Sequence, residues 1–268
     1  MLASTRGPLG LSALTVLDAP PPDTVTAAAA AGFDAVGVRV FPAGDEPAWP
    51  MIGETPMLRE TRRRLADTGL TMWDVEVLRL REDKHLDEQL RILDAGHALG
   101  ARFVLINVND PDEARRLERL NTLASEAEAR GLTLAVEYMI FTEIKTLGDA
   151  VRLVRQVDGP AVVLPDSLHA HRSGGTMAEL AALPAELVAY GQSCDTHAEP
   201  RPESEAAALI EARTGRLLPG DGDLPLVDFA RALPAGAALT VEAPVRDLPL
   251  VERCRAAYRK LVATLPEG

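Results

Sequence analysis

Several oxygen-bearing side chains fall at the ends of short apolar runs. "LTLAVE" ends at Glu137, "AVVLPD" at Asp166 and "AALTVE" at Glu242, while "LVAYGQSCD" carries Gln192 and Asp195. Period-two alternation sets Glu137 on the face of Thr133 and Ala135, and Glu242 on the face of Ala238 and Thr240. Taken singly, each is a strand-end residue, and Asp166 suits the cap of a following helix. Recurrence at the ends of successive runs points to a shared task. Carboxylates crowded together out of water repel one another and resist ionisation. A divalent cation removes that conflict. Three carboxylates and an amide carbonyl make a hard donor set, suited to Mg²⁺ or Mn²⁺, with Co²⁺ admissible, more than to Zn²⁺, which favours His and Cys. The expected ligands are Glu137, Asp166, Gln192 and Glu242.

Other polar residues would surround such a centre. His169 lies just beyond Asp166 and is placed to orient that carboxylate or to donate to a substrate oxygen. His85, His97, His171 and His197 read as surface residues. Arg39 ends the second apolar run, Glu76 the third, and Asn107 and Asn109 the fourth. Arg39 serves either as an ion-pair partner of Glu76 or as a substrate contact. Arg39, Arg172 and Arg216 together would make the site receptive to an anion. The expected substrate contacts are Arg39, Glu76, Asn107, Arg172 and Arg216. The segment "RLLPGDG" ends in Gly220-Asp221-Gly222, which reads as a plain turn or as a phosphate cradle.

These residues need elements that bring them together. β-prone runs occur at Leu9–Leu17, Phe33–Val40, Leu70–Val77, Arg102–Val108, Leu132–Glu137, Ala161–Leu164, Leu187–Ser193 and Ala237–Glu242. Helical spacing of apolar residues marks Val25–Ala31, Met57–Thr68, Leu86–Leu99, Ala114–Arg130, Leu147–Val157 and Leu250–Leu265. Gly32, Gly69, Gly100, Gly131 and Gly159 close several of these helices. The last gap between strands is long and carries an extra segment, Thr196 to Pro225. Alternating β and α segments without hairpin turns argue for a parallel sheet. Eight such units predict a single-domain (β/α)8 TIM barrel over residues 1–268, with its active site where the strands end. An open doubly wound sheet is the alternative, but "TVLDAPPPD" lacks the Gly-rich turn expected after its first strand.

Composition narrows the choice of partners. The net charge of −12 disfavours a nucleic-acid surface, where phosphates need neutralising cations. Only 3 Lys accompany 25 Arg, and Arg62-Arg63-Arg64 reads as a solvated helix face flanked by Glu60 and Asp67. No apolar run reaches the roughly 18 residues of a membrane span. The N-terminal run reads as a first strand rather than a signal peptide. Two cysteines, Cys194 and Cys254, read as reduced thiols, so the expectation is a cytoplasmic enzyme with a small-molecule substrate, and a homodimer is compatible with it.

The ordered segments "LAVEYM", "LPDSLHAHRSGG", "YGQSCDTH", "EARTGRLLPGDG" and "LTVEAP" resemble the sugar phosphate isomerase/epimerase family of xylose-isomerase-like TIM barrels. "AAAAAGFDAVGVRV" and "WDVEVLRL" fit its second and third strand regions. The resemblance implies a divalent metal held by Glu137, Asp166, Gln192 and Glu242, with Glu137 and Glu242 also acting as acid and base. It implies an isomerase or epimerase of a keto-sugar or related polyol, working through a metal-stabilised enediolate. The family's sugar epimerases usually carry His at the seventh-strand position. Gln192 departs from that and is known among the family's 3-dehydroshikimate dehydratases, which are lyases. A dehydratase would share the first proton abstraction and then expel a β-hydroxyl, with His169 as acid. An apurinic-endonuclease-like repair enzyme is a further rival that the acidic charge and Gln192 oppose. A metal-free binding protein on a relict barrel is the last.

Overall fold

The computed structural model describes residues 7–43, 46, 48–246 and 248–266, so the two ends of the expected 1–268 domain lie outside the described residues. Eight strands alternate with helices: β1 Leu9–Leu11, α1 Pro21–Ala31, β2 Ala35–Arg39, α2 Pro56–Thr68, β3 Thr71–Leu80, α3 Leu86–Leu99, β4 Phe103–Val108, α4 Glu113–Glu128, β5 Thr133–Glu137, α5 Leu147–Gln156 and β6 Ala161–Leu164. Short helices α6 Ser167–Arg172 and α7 Met177–Ala181 lead to β7 Tyr190–Ser193. Then follow α8 Glu205–Ile210, a π-helical turn Glu211–Gly215, α9 Leu226–Ala232, β8 Ala238–Val241 and α10 Leu250–Ala263.

The strand order is β6-β5-β4-β3-β2-β1-β8-β7, with every pairing parallel. The ring closes between β6 and β7 through a single bridge, Asp166 to Gln192, and through the Gln192 amide N–H donating to Pro165 O at 2.9 Å. The molecule is a single-domain (β/α)8 TIM barrel, and the open doubly wound sheet is excluded. Two candidate site residues therefore stand at the seam of the barrel.

Local signals explain most boundaries. α1 starts earlier than its apolar spacing suggests, because Pro21 sits at its first position, where a missing N–H costs nothing. Gly32, Gly69 and Gly100 end α1, α2 and α3 with φ of 98°, 72° and 67°, a region that side chains with a Cβ avoid. The first run is a strand only to Leu11, and a 3₁₀ turn takes Ala13–Val16. β3 runs past Val77 to Leu80, with irregular pairing on both neighbours.

Two layers of apolar packing hold the frame. Between sheet and helices lie Val36, Ile92, Leu120, Leu123, Val136 and Leu261, all buried. Inside the barrel, small Ala35, Ala135 and Ala238 make room for Trp73, Leu105 and Tyr190. Phe103 and Tyr190 pack at 5.0 Å between ring centroids, and Trp73 lies 6.0 Å from Tyr190. Each such buried large side chain stabilises the fold by about 1.5–3 kcal/mol. This aromatic plug fills the axis, so the mouth above it is a cleft with a floor. Among the described residues no helix is long and apolar enough to cross a membrane. Cys194 and Cys254 are both free and buried.

Candidate active site

Four successive strands deliver the oxygen donors to one level. Glu137 is the last residue of β5, Asp166 follows β6 by two residues, Gln192 lies within β7, and Glu242 follows β8. Gln192 is in register with Thr240, Glu137 with Leu164, and the Glu242 N–H donates to Ser193 O at 2.9 Å. One carboxylate oxygen from each of Glu137, Asp166 and Glu242 lies within 4.8 Å of the others. All four side chains are buried.

Asp166 caps the following helix, as its sequence position allowed, and its other oxygen is taken by an arginine. Its Oδ1 caps α6, accepting from the Leu168 and His169 N–H groups at 2.8 and 3.1 Å. Its Oδ2 accepts from Arg216 Nη1 at 2.6 Å. The same Nη1 lies 3.0 Å from Glu242 Oε2. Gln192 Nε2 donates to Glu242 Oε1 at 3.1 Å, which leaves Gln192 Oε1 buried without a donor. Asn107 Nδ2 donates to Glu137 Oε2 at 2.9 Å. His169 Nε2 lies 3.7 Å from Glu137 Oε1 and 3.2 Å from Arg216 Nη2.

The electrostatics follow from burial and crowding. Burial, reinforced by the Asp166 charge, pushes Glu137 up to about 8. Burial also lifts Glu242 well above the usual range, against the pull of Arg216 and with added repulsion from Glu76 and Glu137. Asp166 is just as buried, but Arg216 and its contacts around His169 outweigh that and hold it low. Burial pushes His169 down to about 4, so its imidazole is neutral near pH 7.

The remaining predicted contacts divide. Asn107, Arg39, Glu76 and Arg216 line the same open cleft of ≈ 530 Å³ as Glu137, His169 and Glu242. Arg39 is held by Glu76 Oε2 at 2.7 Å and Glu46 Oε1 at 2.9 Å, so it is the ion-pair partner of Glu76. Arg172 points elsewhere: it forks onto Glu211 at 2.6 and 3.0 Å and donates to the Ala198 and His197 carbonyls. That clamp fixes the π turn, whose Ala212 O accepts from Arg216 Nε at 2.6 Å. Asp195 turns away from the cluster and accepts from the Thr196, Gly220 and Leu224 N–H groups at 2.9, 3.0 and 3.0 Å. The Gly220-Asp221-Gly222 turn is therefore folded around Asp195, a plain turn with its Gly220 N–H already used. A Cβ on Gly222 would meet Asp195 Oδ1 at 2.5 Å, which is why the turn needs glycine there.

Two cleft residues escape a reading based on strand ends. Arg79 lies beyond Val77, where β3 was expected to stop, and Arg213 lies on the π turn. Continued alternation of Val77, Arg79 and Arg81 is the signal that could have placed Arg79. Nothing local marks Arg213. Below the cleft, Asp74 accepts a hydrogen bond from the Tyr190 hydroxyl at 2.8 Å, in space left by Gly37.

The residues fit a divalent cation. Three buried carboxylates converge, two of them with ionisation suppressed by burial, and on neighbouring β7 the Gln192 carbonyl is buried without a donor. Arg216 places positive charge between Asp166 and Glu242, so a metal ion held by the cluster would compete with it for these two carboxylates.

No curated protein sequence matches the chain significantly. Solved structures do match. A xylose isomerase-like TIM barrel/4-hydroxyphenylpyruvate dioxygenase fusion protein superposes with TM-score 0.77 at 21% identity, covering 97% of this chain, which spans 42% of that longer protein. An IolI protein with a bound zinc atom gives TM-score 0.76 at 17% identity, over 96% of this chain and 98% of that one. D-psicose 3-epimerase with D-fructose gives 0.72 at 16% identity, over 96% and 98%. The probable 3-DHS dehydratase AsbF from Bacillus anthracis gives 0.75 at 13% identity, over 95% and 98%. At such identities the likeness is one of fold. A family model described as xylose isomerase-like TIM barrel matches residues 25–263, which takes in every strand end of the cluster, and the chain belongs to that family.

Proposed function

We propose that this protein is a divalent-metal-dependent isomerase or epimerase acting on a small keto-sugar, polyol or related acid. The observation that carries the reading is the convergence of Glu137, Asp166 and Glu242, with the carbonyl of Gln192, whose side-chain N–H donates to Glu242, left buried and unpartnered. Glu137, Asp166, Gln192 and Glu242 would hold the cation, which when bound would supply Lewis acidity toward a substrate carbonyl and so acidify the adjacent C–H. The all-oxygen donor set supports Mg²⁺ or Mn²⁺, although the IolI neighbour is described with zinc.

The protein's own groups handle the proton. Glu137 and Glu242 reach the cleft from separate strands and act as the acid–base pair, one removing the proton and the other returning it. Asn107 fixes the Glu137 carboxylate by its 2.9 Å hydrogen bond. His169, neutral and edge-on to Phe141 at 5.6 Å, offers a polar contact to a substrate oxygen beside Glu137. The buried floor excludes water from below.

A second reading is a lyase of the dehydratase type. Gln192 in place of a seventh-strand His favours it. The same proton abstraction would be followed by loss of a β-hydroxyl. Incubation with keto-sugars and keto-acids in D₂O, with Mn²⁺ or Mg²⁺ added, separates the two. Deuterium uptake without loss of water supports the isomerase or epimerase; a new enone supports the lyase. No exchange with any member of the panel counts against both.

A further inference from the structure

Which cations in the cleft can meet a ligand is decided by what they already hold. Arg39 is neutralised by Glu46 and Glu76, Arg172 by Glu211, and Arg216 by Asp166 and Glu242. The side chains of Arg79 and Arg213 make no hydrogen bond or ion pair with any described residue, yet both line the cleft. Arg79 is half-buried and stands in register with Asn107, the residue that holds Glu137. It also borders a neighbouring groove walled by Phe41, Lys84 and Gln89. Arg213 is exposed, on a turn pinned on both flanks by the Arg172–Glu211 pair and by the Arg216–Ala212 hydrogen bond.

This arrangement is unfavourable without a counter-charge. Burial, then the charges of Arg213 and Arg39, push Arg79 below its ordinary range, and the Glu46 carboxylate, already held by Arg39, offsets this only in part. The chain has 40 acidic residues, but among the described ones none pairs with either guanidinium. A pair of unpartnered forks beside an acidic cluster suits a ligand negative at one end and carbonyl- or hydroxyl-bearing at the other. Guanidinium forks match the oxygens of carboxylate and phosphate in shape as well as charge. Leu14, Val77, Leu105, Met139 and Phe141 line the stretch between and suit a short carbon skeleton.

We propose that Arg79 and Arg213 bind an oxyanion terminus, carboxylate or phosphate, of the substrate whose carbonyl end faces Glu137 and Glu242. This rests on the reading of the cleft as an active site, and it narrows the substrate to a small keto- or hydroxy-acid or a sugar phosphate, excluding neutral sugars.

The test uses thermal unfolding at constant ionic strength, with chloride as reference, and inorganic phosphate and succinate as probes. Wild type, Arg79→Gln, Arg213→Gln and the double variant are compared. Arg79→Lys stands in should Arg79→Gln fail to fold, since it keeps the charge and loses the fork. The wild-type Tm is expected to rise with at least one anion, each single variant to blunt the rise and the double variant to abolish it. A larger rise with phosphate assigns a phosphoester; a larger rise with succinate assigns a carboxylate. No rise in the wild type with either anion, or an undiminished rise in the double variant, overturns the proposal.

In the D₂O assay the double variant should raise KM for an anionic substrate at least tenfold, with the loss falling on KM rather than kcat. A neutral sugar exchanging as efficiently as its acid or phosphate counterpart also overturns the proposal. Absent exchange with an intact anion response would strike the enzymatic reading and leave the anion site standing.

Discussion

Replacing Asp74 by Asn should stabilise the protein, and by an amount that grows with pH. Asp74 is buried in the barrel, 2.8 Å from the Tyr190 hydroxyl, with Glu76 nearby. Burial and the Glu76 charge push its carboxyl up from 3.8 to about 8. In the unfolded chain it ionises near ~3.9. Between those values the unfolded state has released a proton that the folded state still binds, so stability falls as pH rises. Each pKa unit corresponds to ~1.4 kcal/mol, so the cost is about 1.5 kcal/mol at pH 5 and about 4 kcal/mol at pH 7, levelling off above pH 8. Asn cannot ionise and keeps a carbonyl for Tyr190. The expected gain of Asp74→Asn over wild type is therefore about 2–3 kcal/mol larger at pH 7 than at pH 5. Urea unfolding at the two pH values measures it, and the buried carboxylates that do not interact with Asp74 cancel in the comparison. An equal difference at both values, or a variant less stable at pH 7 than at pH 5 relative to wild type, would mean that Asp74 is ionised in the folded protein and the reasoning is wrong.

Other perturbations probe the site and its frame. Glu242→Gln should abolish solvent exchange while leaving the circular-dichroism spectrum near wild type; unchanged turnover would remove its assigned role. Gln192→Leu should weaken Mn²⁺ binding at least tenfold by calorimetry, whereas Gln192→His should retain it, because imidazole replaces the lost donor. Gly37→Ala should cost about 1–3 kcal/mol, since its Cβ would fall 2.0 Å from Asp74 Oδ1 and the barrel interior must shift. Asp195→Ala removes the acceptor of three backbone N–H groups and should cost about 2–4 kcal/mol, with faster amide hydrogen exchange confined to Thr196, Gly220 and Leu224.

Much of the frame was legible because its signals are local. α3 runs from Leu86 to Leu99 and β6 from Ala161 to Leu164, as the apolar spacing requires. The short helices α6 to α9 left no comparable trace, since five to seven residues give too few turns for a period to register. β3 was read short at Val77; the register shift of its pairing around Val75–Leu78 is set between strands and leaves no mark along the chain.

The site shows the same division. Alternation along β5 and β8 sets Glu137 and Glu242 inward in any parallel barrel, and the end of β6 sets Asp166 beside them. Those placements depend on side-chain direction within a strand, which neighbouring residues already encode. Which arginines remain free is another matter. Arg39 finds Glu76 across 37 positions, Arg172 finds Glu211 across 39, and Arg216 finds Asp166 across 50. Charge pairing of this kind depends on distances of a few ångströms between segments remote along the chain, and no local pattern carries that information. From the sequence alone came the barrel and its row of oxygen donors. The tertiary structure decided that the expected cations are already paired and that Arg79 and Arg213 are not, because ion pairs are settled in space rather than along the chain.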